Sequence, residues 1–168
     1  ESGWAQVRDA QRRVAGEDAH SGLVVAIDIG DAYDIHPPNK QELGRRLARA
    51  ARHVVYGERT LPPSGPVART ASRTPQGVKV VFDDVTGALA TTGANGPIGF
   101  ELCDAERHCV YANAVIDGHA VVLRGDHDGR ADRVRYCWAD GPVCTLRDTE
   151  GMPAGPVELP VTAAEVPR

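Results

Sequence analysis

The order of apolar and polar positions in the first part of the chain predicts two helices with a strand between them. Apolar residues recur at helical spacing over residues 3–15, which predicts an amphipathic helix. Residues 23–27 are all apolar and end in turn-forming residues, a pattern typical of a strand buried on both faces of a parallel sheet. Asn39 then stands as an N-cap before a second helical stripe, with Glu42 three residues on as in a capping box. These elements predict α/β structure.

After the Pro- and Gly-rich stretch at residues 62–66, the apolar runs become shorter. Clusters of turn-forming residues separate them, and this spacing is typical of a small antiparallel sandwich or jelly roll. We therefore predict an α/β unit over residues 1–58, a stiff linker over residues 59–66 and an antiparallel β-sandwich over residues 67–168. The predicted strands of the sandwich cover residues 78–82, 98–102, 110–116, 120–123 and 134–138.

The predicted α/β unit lacks the neighbours that its strand requires. A strand buried on both faces needs further strands at its edges and helices above and below it, and residues 1–58 contain a single such run. We expect residues 23–27 to join a sheet formed by another polypeptide or by another part of a longer precursor; a lone edge strand that covers the sandwich is the alternative. The chain starts at Glu1 and has no signal peptide, so we expect a piece of a longer protein.

The charge balance argues against a nucleic-acid partner. The formal net charge is -4, whereas nucleic-acid-binding proteins usually carry a clustered basic face. Arginines at positions 45, 46, 49 and 52 follow helical spacing beside the apolar stripe, and we interpret them as a solvent-exposed helix face. No apolar run approaches the roughly 20 residues that cross a bilayer, so we predict no membrane partner.

The cysteines form two local pairs, Cys103 with Cys109 and Cys137 with Cys144. Each pair brackets a polar turn between strand-like segments, and facing positions near a hairpin end have a spacing that suits a disulfide. We predict two disulfides and therefore an oxidising compartment, periplasmic or extracellular; a zinc site and free buried thiols are the alternatives. The short acidic stretch at residues 125–128 lacks the other ligands of an EF-hand, so we interpret it as an exposed turn. We expect no metal and no cofactor.

The candidate chemistry lies in the loop that follows residues 23–27. His36 stands there beside two carboxylates, Asp31 and Asp34, and a histidine held by a carboxylate is the general base of a serine hydrolase. In extended backbone Asp34 points to the same side as His36, whereas Asp31 needs a turn to reach it. The alternative is a surface histidine without a catalytic role. No serine of the chain stands in a Gly-x-Ser-x-Gly or Gly-Asp-Ser context, so the nucleophile has to come from elsewhere.

Several motifs, taken in order, resemble the C-terminal part of sialate O-acetylesterases. The two most specific are Trp-x-x-Val-Arg-x-Ala-Gln in residues 4–11 and Asp-Ile-His-Pro in residues 34–37. Because the motifs extend from residue 4 to residue 154, the resemblance covers nearly the whole chain. The remaining motifs are residues 25–30, 44–48, 55–57, 100, 112–114, 134–136, 146 and 151–154.

This resemblance implies a serine esterase of the SGNH type, which removes acetyl groups from the hydroxyls of sugars. Such enzymes combine a three-layer α/β/α domain with β-rich domains, so the chain would hold the C-terminal strand, loop and helix of the first and a small β-sandwich. His36 matches the catalytic histidine of the family. The family's usual Asp-x-x-His has Tyr33 in place of its aspartate here, so the carboxylate role passes to Asp34, or less readily to Asp31.

The same resemblance implies a partner. The nucleophilic serine of the family lies near the start of a long chain, so an N-terminal fragment or subunit of the same precursor would supply it, with an acetylated carbohydrate as substrate. Acetylated xylan or xyloglucan is the alternative substrate to acetylated sialic acid. A non-catalytic carbohydrate-binding or structural β-sandwich is the alternative from a different class of function.

Overall fold

The computed structural model of the chain describes residues 3–60, 62–127 and 129–163. Within these ranges two helices come first and ten strands follow. The helices are α1 (Gly3–Glu17) and α2 (Lys40–Val54). The strands are β1 (Val67–Thr74), β2 (Gly77–Asp83), β3 (Leu89–Thr91), β4 (Phe100–Cys103), β5 (Cys109–Tyr111), β6 (Asn113–Asp117), β7 (Ala120–Arg124), β8 (Arg133–Tyr136), β9 (Leu146–Asp148) and β10 (Val157–Thr162).

Both predicted helices are confirmed, and α2 begins where the sequence predicts. Asn39 is its N-cap, and the side chain of Asn39 accepts a hydrogen bond from the backbone N–H of Glu42 at 3.3 Å. The capping box is only half formed, because the carboxylate of Glu42 accepts a hydrogen bond from the guanidinium of Arg46 at 3.1 Å. Neither helix is long and apolar enough to cross a bilayer, among the residues that the structure describes.

Residues 23–27 differ from the prediction. They carry no regular secondary structure, pair with no strand in the described ranges, and are half-buried rather than buried on both faces. The physical reason is that a strand exists only with a partner backbone on at least one edge, and none of the described strands lies beside this segment. The pairing of residues 23–27 with a sheet from another part of the protein stays a prediction.

The arginine-rich face of α2 is also only partly as predicted. Arg45 and Arg52 are exposed, but Arg46 is 4% exposed. Arg49 is half-buried and donates hydrogen bonds to Pro62 O at 2.8 Å and to the hydroxyl of Thr86 at 3.0 Å. The prediction of a wholly solvent-exposed face is wrong, because the chain before α2 and the β-rich part both fold back onto this side of the helix.

The β-rich part is dominated by one curled sheet. Eight strands form a mixed sheet in the order β5-β4-β8-β10-β1-β2-β7-β6, and β3 pairs separately with β9. β1 and β10 run parallel, and the other neighbours run antiparallel. The edge strands β5 and β6 follow one another in the chain, separated by Ala112, whose N–H donates to Phe100 O of β4 at 3.0 Å. The predicted β-rich unit is therefore confirmed, but as a nearly closed mixed sheet rather than an antiparallel sandwich.

The predicted strands correspond to only part of this sheet. The predictions at 78–82, 98–102, 120–123 and 134–138 overlap β2, β4, β7 and β8, and the single strand predicted at 110–116 is divided into β5 and β6. β1, β3, β9 and β10 have no predicted counterpart. Part of the predicted linker is packed, since a Cβ placed on Gly65 would lie 2.5 Å from Pro153 O. The predicted domain boundaries stay a prediction.

Both predicted disulfides are present, joining Cys103 to Cys109 and Cys137 to Cys144. The first pair occupies directly facing positions of β4 and β5. With their sulfurs bonded to each other, these cysteines are neither zinc ligands nor free thiols. Asp128, in the acidic turn predicted at residues 125–128, lies outside the described residues.

Tyr136 lies at the centre of the core formed by the curled sheet. Its ring is fully buried and its centroid lies 4.5 Å from that of Phe100. Its hydroxyl oxygen accepts a hydrogen bond from the N–H of Leu146 at 2.9 Å. Burial raises the pKa of Tyr136 above its usual value. This hydroxyl ties β8 to β9, so the separate β3–β9 pair is fastened to the main sheet by a side chain.

We predict that Tyr136→Phe lowers the free energy of unfolding by about 1–3 kcal/mol, because the buried N–H of Leu146 loses its acceptor while the aromatic packing is kept. Urea-induced unfolding measures this difference. The matched control is Tyr111→Phe, which removes the hydroxyl of an exposed tyrosine and is expected to change the free energy by less than about 0.5 kcal/mol. Equal effects of the two substitutions would contradict the structural role given to the Tyr136 hydroxyl.

Candidate functional site

Two hydrogen bonds of the same type shape the loop between residues 23–27 and α2. Oδ1 of Asp31 accepts from the N–H of Tyr33 at 2.8 Å, and Oδ1 of Asp34 accepts from the N–H of His36 at 2.7 Å. A carboxylate that binds the backbone N–H two residues on forms an Asx-turn, which fixes a bend without regular secondary structure. Two such bends in succession present His36 on an exposed loop.

The predicted pair, His36 and Asp34, lies side by side, but the contact runs through the backbone. Asp34 binds the N–H of His36 and not its imidazole. Within the part of the chain that the structure describes, the imidazole of His36 makes no hydrogen bond, and Asp31 does not reach it either. The loop backbone, rather than a partner of the ring, therefore determines where His36 stands. An exposed imidazole in this position can act as a base towards a group that is brought to it.

Large apolar side chains next to His36 are open to solvent. Tyr33 is 101% exposed and Ile35 is 83% exposed. Apolar exposure continues on both helices, where Trp4 of α1 and Leu47 of α2 are more than half exposed. Extensive exposed apolar surface is typical of regions that another protein segment covers. Exposed apolar side chains of this kind lie on the loop and on both helices.

A buried arginine lies at the base of the loop. The guanidinium of Arg46 binds both carboxylate oxygens of Asp28, at 2.6 and 2.8 Å, and donates to Val25 O at 2.8 Å. Its Nε–H donates to Glu42 in the first turn of α2. Hydrogen bonding to Asp28 raises the pKa of Arg46, although burial opposes this. Sequence reasoning missed this pair: the four-residue spacing of Glu42 and Arg46 is visible in the sequence, but the contact with Asp28 depends on the path of the loop.

The β-rich part supports the loop from another direction. Arg8 of α1 donates to the carbonyl oxygens of Ala139 and Asp140, both at 2.9 Å. These residues lie in the segment that the second disulfide closes. Gly141 of the same segment lies against the loop, since a Cβ placed on Gly141 would lie 3.3 Å from the Cβ of Ala32. The loop, α1 and the disulfide-closed segment are thus in one packed arrangement.

A cavity of about 560 Å³ lies between α1, the loop and the β-rich part. Its walls include Arg8 and Gln11 of α1, Asp31 of the loop, and residues 23–27 and 140–143. Residues 23–27, which pair with none of the described strands, therefore border this cavity.

The other candidate groups form no second hydrolase-like site in the described ranges. Ser21 lies beside Asp18 and His20, but its hydroxyl donates to Asp18 at 2.6 Å rather than to the imidazole, so no serine–histidine relay is present there. The hydroxyl of Ser64 is buried and donates to Gly65 O. The described residues contain no cluster of His, Cys, Asp and Glu that could hold a metal ion.

Comparisons with known proteins converge on carbohydrate acetylesterases. No protein-family model matches the chain. The chain is 27% identical over 169 residues to the sialate O-acetylesterase of Mus musculus, an alignment that covers 91% of this chain and 30% of the mouse protein. It is also similar to the crystal structure of a carbohydrate acetylesterase from Xanthomonas citri, with a TM-score of 0.86 and 38% identity over 94% of this chain and 36% of that one. The chain spans about a third of the length of these relatives.

Likeness in sequence and likeness in fold thus agree, and each extends over more than nine tenths of this chain. The resemblance predicted from the motifs around Trp4 and His36 is confirmed by both relatives. Over nearly its whole length the chain is similar to sialate O-acetylesterase and to carbohydrate acetylesterase.

Proposed function

We propose that this chain carries the general base of a serine carbohydrate O-acetylesterase and corresponds to the C-terminal part of such an enzyme. The observation that supports the proposal most strongly is the 38% identity and TM-score of 0.86 to a carbohydrate acetylesterase over 94% of the chain. His36 is the proposed base, because it lies in the Asp-Ile-His-Pro motif on an exposed loop next to apolar surface. Asp34 is the proposed orienting carboxylate.

The proposed reaction has two steps. A serine hydroxyl from the N-terminal part of the protein gives its proton to His36 while its oxygen attacks the acetyl carbonyl carbon. His36 then returns this proton to the sugar oxygen as the ester bond breaks, which leaves an acetyl-serine. In the second step His36 takes a proton from water, the hydroxide attacks the acetyl-serine, and the proton returns to the serine oxygen as acetate leaves.

The serine has to come from an N-terminal fragment or subunit of the same precursor in this proposal. Two features support such a partner: the exposed apolar side chains of Tyr33 and Ile35, and the position of residues 23–27 beside a cavity without a described strand paired to them. We propose that residues 23–27 become a strand of the partner's sheet. The helices α1 and α2 would then form one outer layer or both outer layers of an SGNH-type α/β/α domain.

The proposed location is periplasmic or extracellular. Both disulfides close short segments in the β-rich part, and disulfides persist in oxidising compartments. The proposed substrate class is an acetylated carbohydrate, with acetylated sialic acid as the first candidate and acetylated xylan or xyloglucan as the alternative within the same architecture.

A carbohydrate-binding module is the competing function, and the β-rich part offers little for it. Sugar-binding sheets usually present a row of exposed aromatic rings, because rings stack against sugars. Among the described residues from 62 to 163, Tyr111 is the exposed aromatic side chain; Phe82, Phe100 and Tyr136 are buried. Trp138 is half-buried, and the guanidinium of Arg135 lies 4.9 Å from its ring centroid.

We predict that His36→Ala lowers kcat for release of acetate by on the order of 10³-fold or more in the esterase assembled with its serine-bearing part, because the serine loses its base. Steady-state kinetics with an acetylated sugar measure this loss. The matched control is His20→Ala, which removes another exposed histidine beside a carboxylate and is expected to leave kcat unchanged. A near-normal kcat of the His36→Ala variant would contradict the assignment of His36 as the general base.

We predict that Asp34→Asn lowers kcat by roughly 10²-fold or more, because the imidazolium that forms on His36 during proton transfer loses a neighbouring negative charge. An asparagine side chain still offers an oxygen to the N–H of His36, so the Asx-turn is kept and the effect of charge is isolated. Asp31→Asn removes the charge from the other Asx-turn of the loop and is expected to have little effect on kcat. If Asp31→Asn lowers kcat more than Asp34→Asn does, the role belongs to Asp31 and the assignment of Asp34 is wrong.

A further inference from the structure

One guanidinium joins the two ends of the loop that carries His36. Before the loop, Arg46 donates to Val25 O at 2.8 Å and binds Asp28 through both carboxylate oxygens. After the loop, its Nε–H donates at 3.1 Å to Glu42 in the first turn of α2. The start and the end of the loop are therefore both held by a single side chain.

The geometry of this contact suits arginine and no other residue. Four N–H groups are engaged at once, in three directions, and the pairing with Asp28 uses the planar fork of the guanidinium. Lysine offers a point charge without that fork. Arg46 is 4% exposed, whereas the Asp28 side chain is 33% exposed, so the guanidinium, rather than the carboxylate, is the buried member of this pair.

The rest of the loop has little else to hold it in place. Its side chains from Asp31 to His36 are exposed, and its two Asx-turns are internal bends that shape the loop without attaching it to the rest of the protein. The packing of Gly141 against Ala32 restrains one face. The position of the loop relative to α2 thus depends mainly on the contacts of Arg46.

We propose that Arg46 is the positioning residue for His36: through Asp28 and Val25 it fixes the base of the loop and so places the imidazole for proton transfer. This rests on the proposed function, in which His36 is the general base. Arg46 itself touches neither substrate nor serine. Misplacing a catalytic group by about 1 Å is enough to cost on the order of 10²-fold in rate.

The test uses the esterase that includes both this chain and the serine-bearing part. Arg46→Met is expected to lower kcat by about 10²-fold with KM within about threefold of wild type, because the base is displaced while substrate binding is not. Arg46→Lys is expected to lie between Arg46→Met and wild type. The matched control is Arg52→Met, which breaks an exposed ion pair with Glu58 near the other end of the same helix and is expected to leave both constants unchanged.

A second comparison separates positioning from general destabilisation. Introduced into the His36→Ala background, Arg46→Met is expected to cause no further loss of the residual activity, because its effect is transmitted through His36. The proposal would be overturned if Arg46→Met lowered the activity of the His36→Ala enzyme by the same factor as it lowers that of the wild-type enzyme. It would also be overturned if Arg46→Met alone left kcat at the wild-type value. If His36→Ala is fully active, the proposed function itself fails, and this outcome is distinct from the other two.

Asp28→Asn provides the same comparison should Arg46→Met fail to fold. It leaves Arg46 in contact with Glu42 and Val25 O and removes only the negative charge of the Asp28 side chain. It is expected to lower kcat and not KM, with no further loss when combined with His36→Ala. A change in KM alone would overturn the positioning role.

Discussion

Backbone N–H and C=O groups that are buried away from water need hydrogen-bond partners. None of the described strands of this chain supplies such partners to the backbone of residues 23–27. The segment is half-buried, borders a cavity of about 560 Å³ and pairs with none of the described strands. Arg46 satisfies Val25 O with a side chain, which holds the segment in place without making it a strand. In the proposed function, this segment is where another part of the protein pairs with the chain, next to the loop that carries His36.

The β-rich part acts, in this account, as a rigid support for that edge. Arg8 links α1 to the disulfide-closed segment through two carbonyl oxygens, and Gly141 and Gly155 bring the backbone of the β-rich part close to Ala32 and Val25. Larger residues at either glycine would meet these side chains. The β-rich part therefore contacts both the loop of His36 and the segment before it.

The sequence predicts those elements whose pattern is local. Asn39 marks the start of α2 because N-capping depends on nearby residues, and the disulfides are predictable because each pair flanks one turn. β1 is missed because a register shift between Ala68 and Thr70 breaks its two-residue alternation. β10 is missed because Pro160 lies within it, and proline usually argues against a strand.

In the candidate site, too, local sequence patterns predict some features, and others depend on the path of the folded chain. The motif identifies His36, whereas the backbone role of the Asp34 carboxylate depends on a turn that periodicity does not reveal. Helical spacing shows which residues share a face of α2 but not what lies opposite that face. Arg46 is predicted as solvent-exposed for this reason, although it is buried and binds Asp28, which is distant in sequence.

The central proposal is that His36 accepts the proton of a nucleophilic serine that lies outside residues 1–168. The most direct measurement is a crystal structure of the full-length esterase whose nucleophilic serine has reacted with an organophosphonate. The account predicts that a ring nitrogen of His36 lies about 3 Å from the oxygen of that serine, with residues 23–27 paired as a strand of the same sheet. A different histidine at the modified serine, with His36 facing solvent, would contradict it.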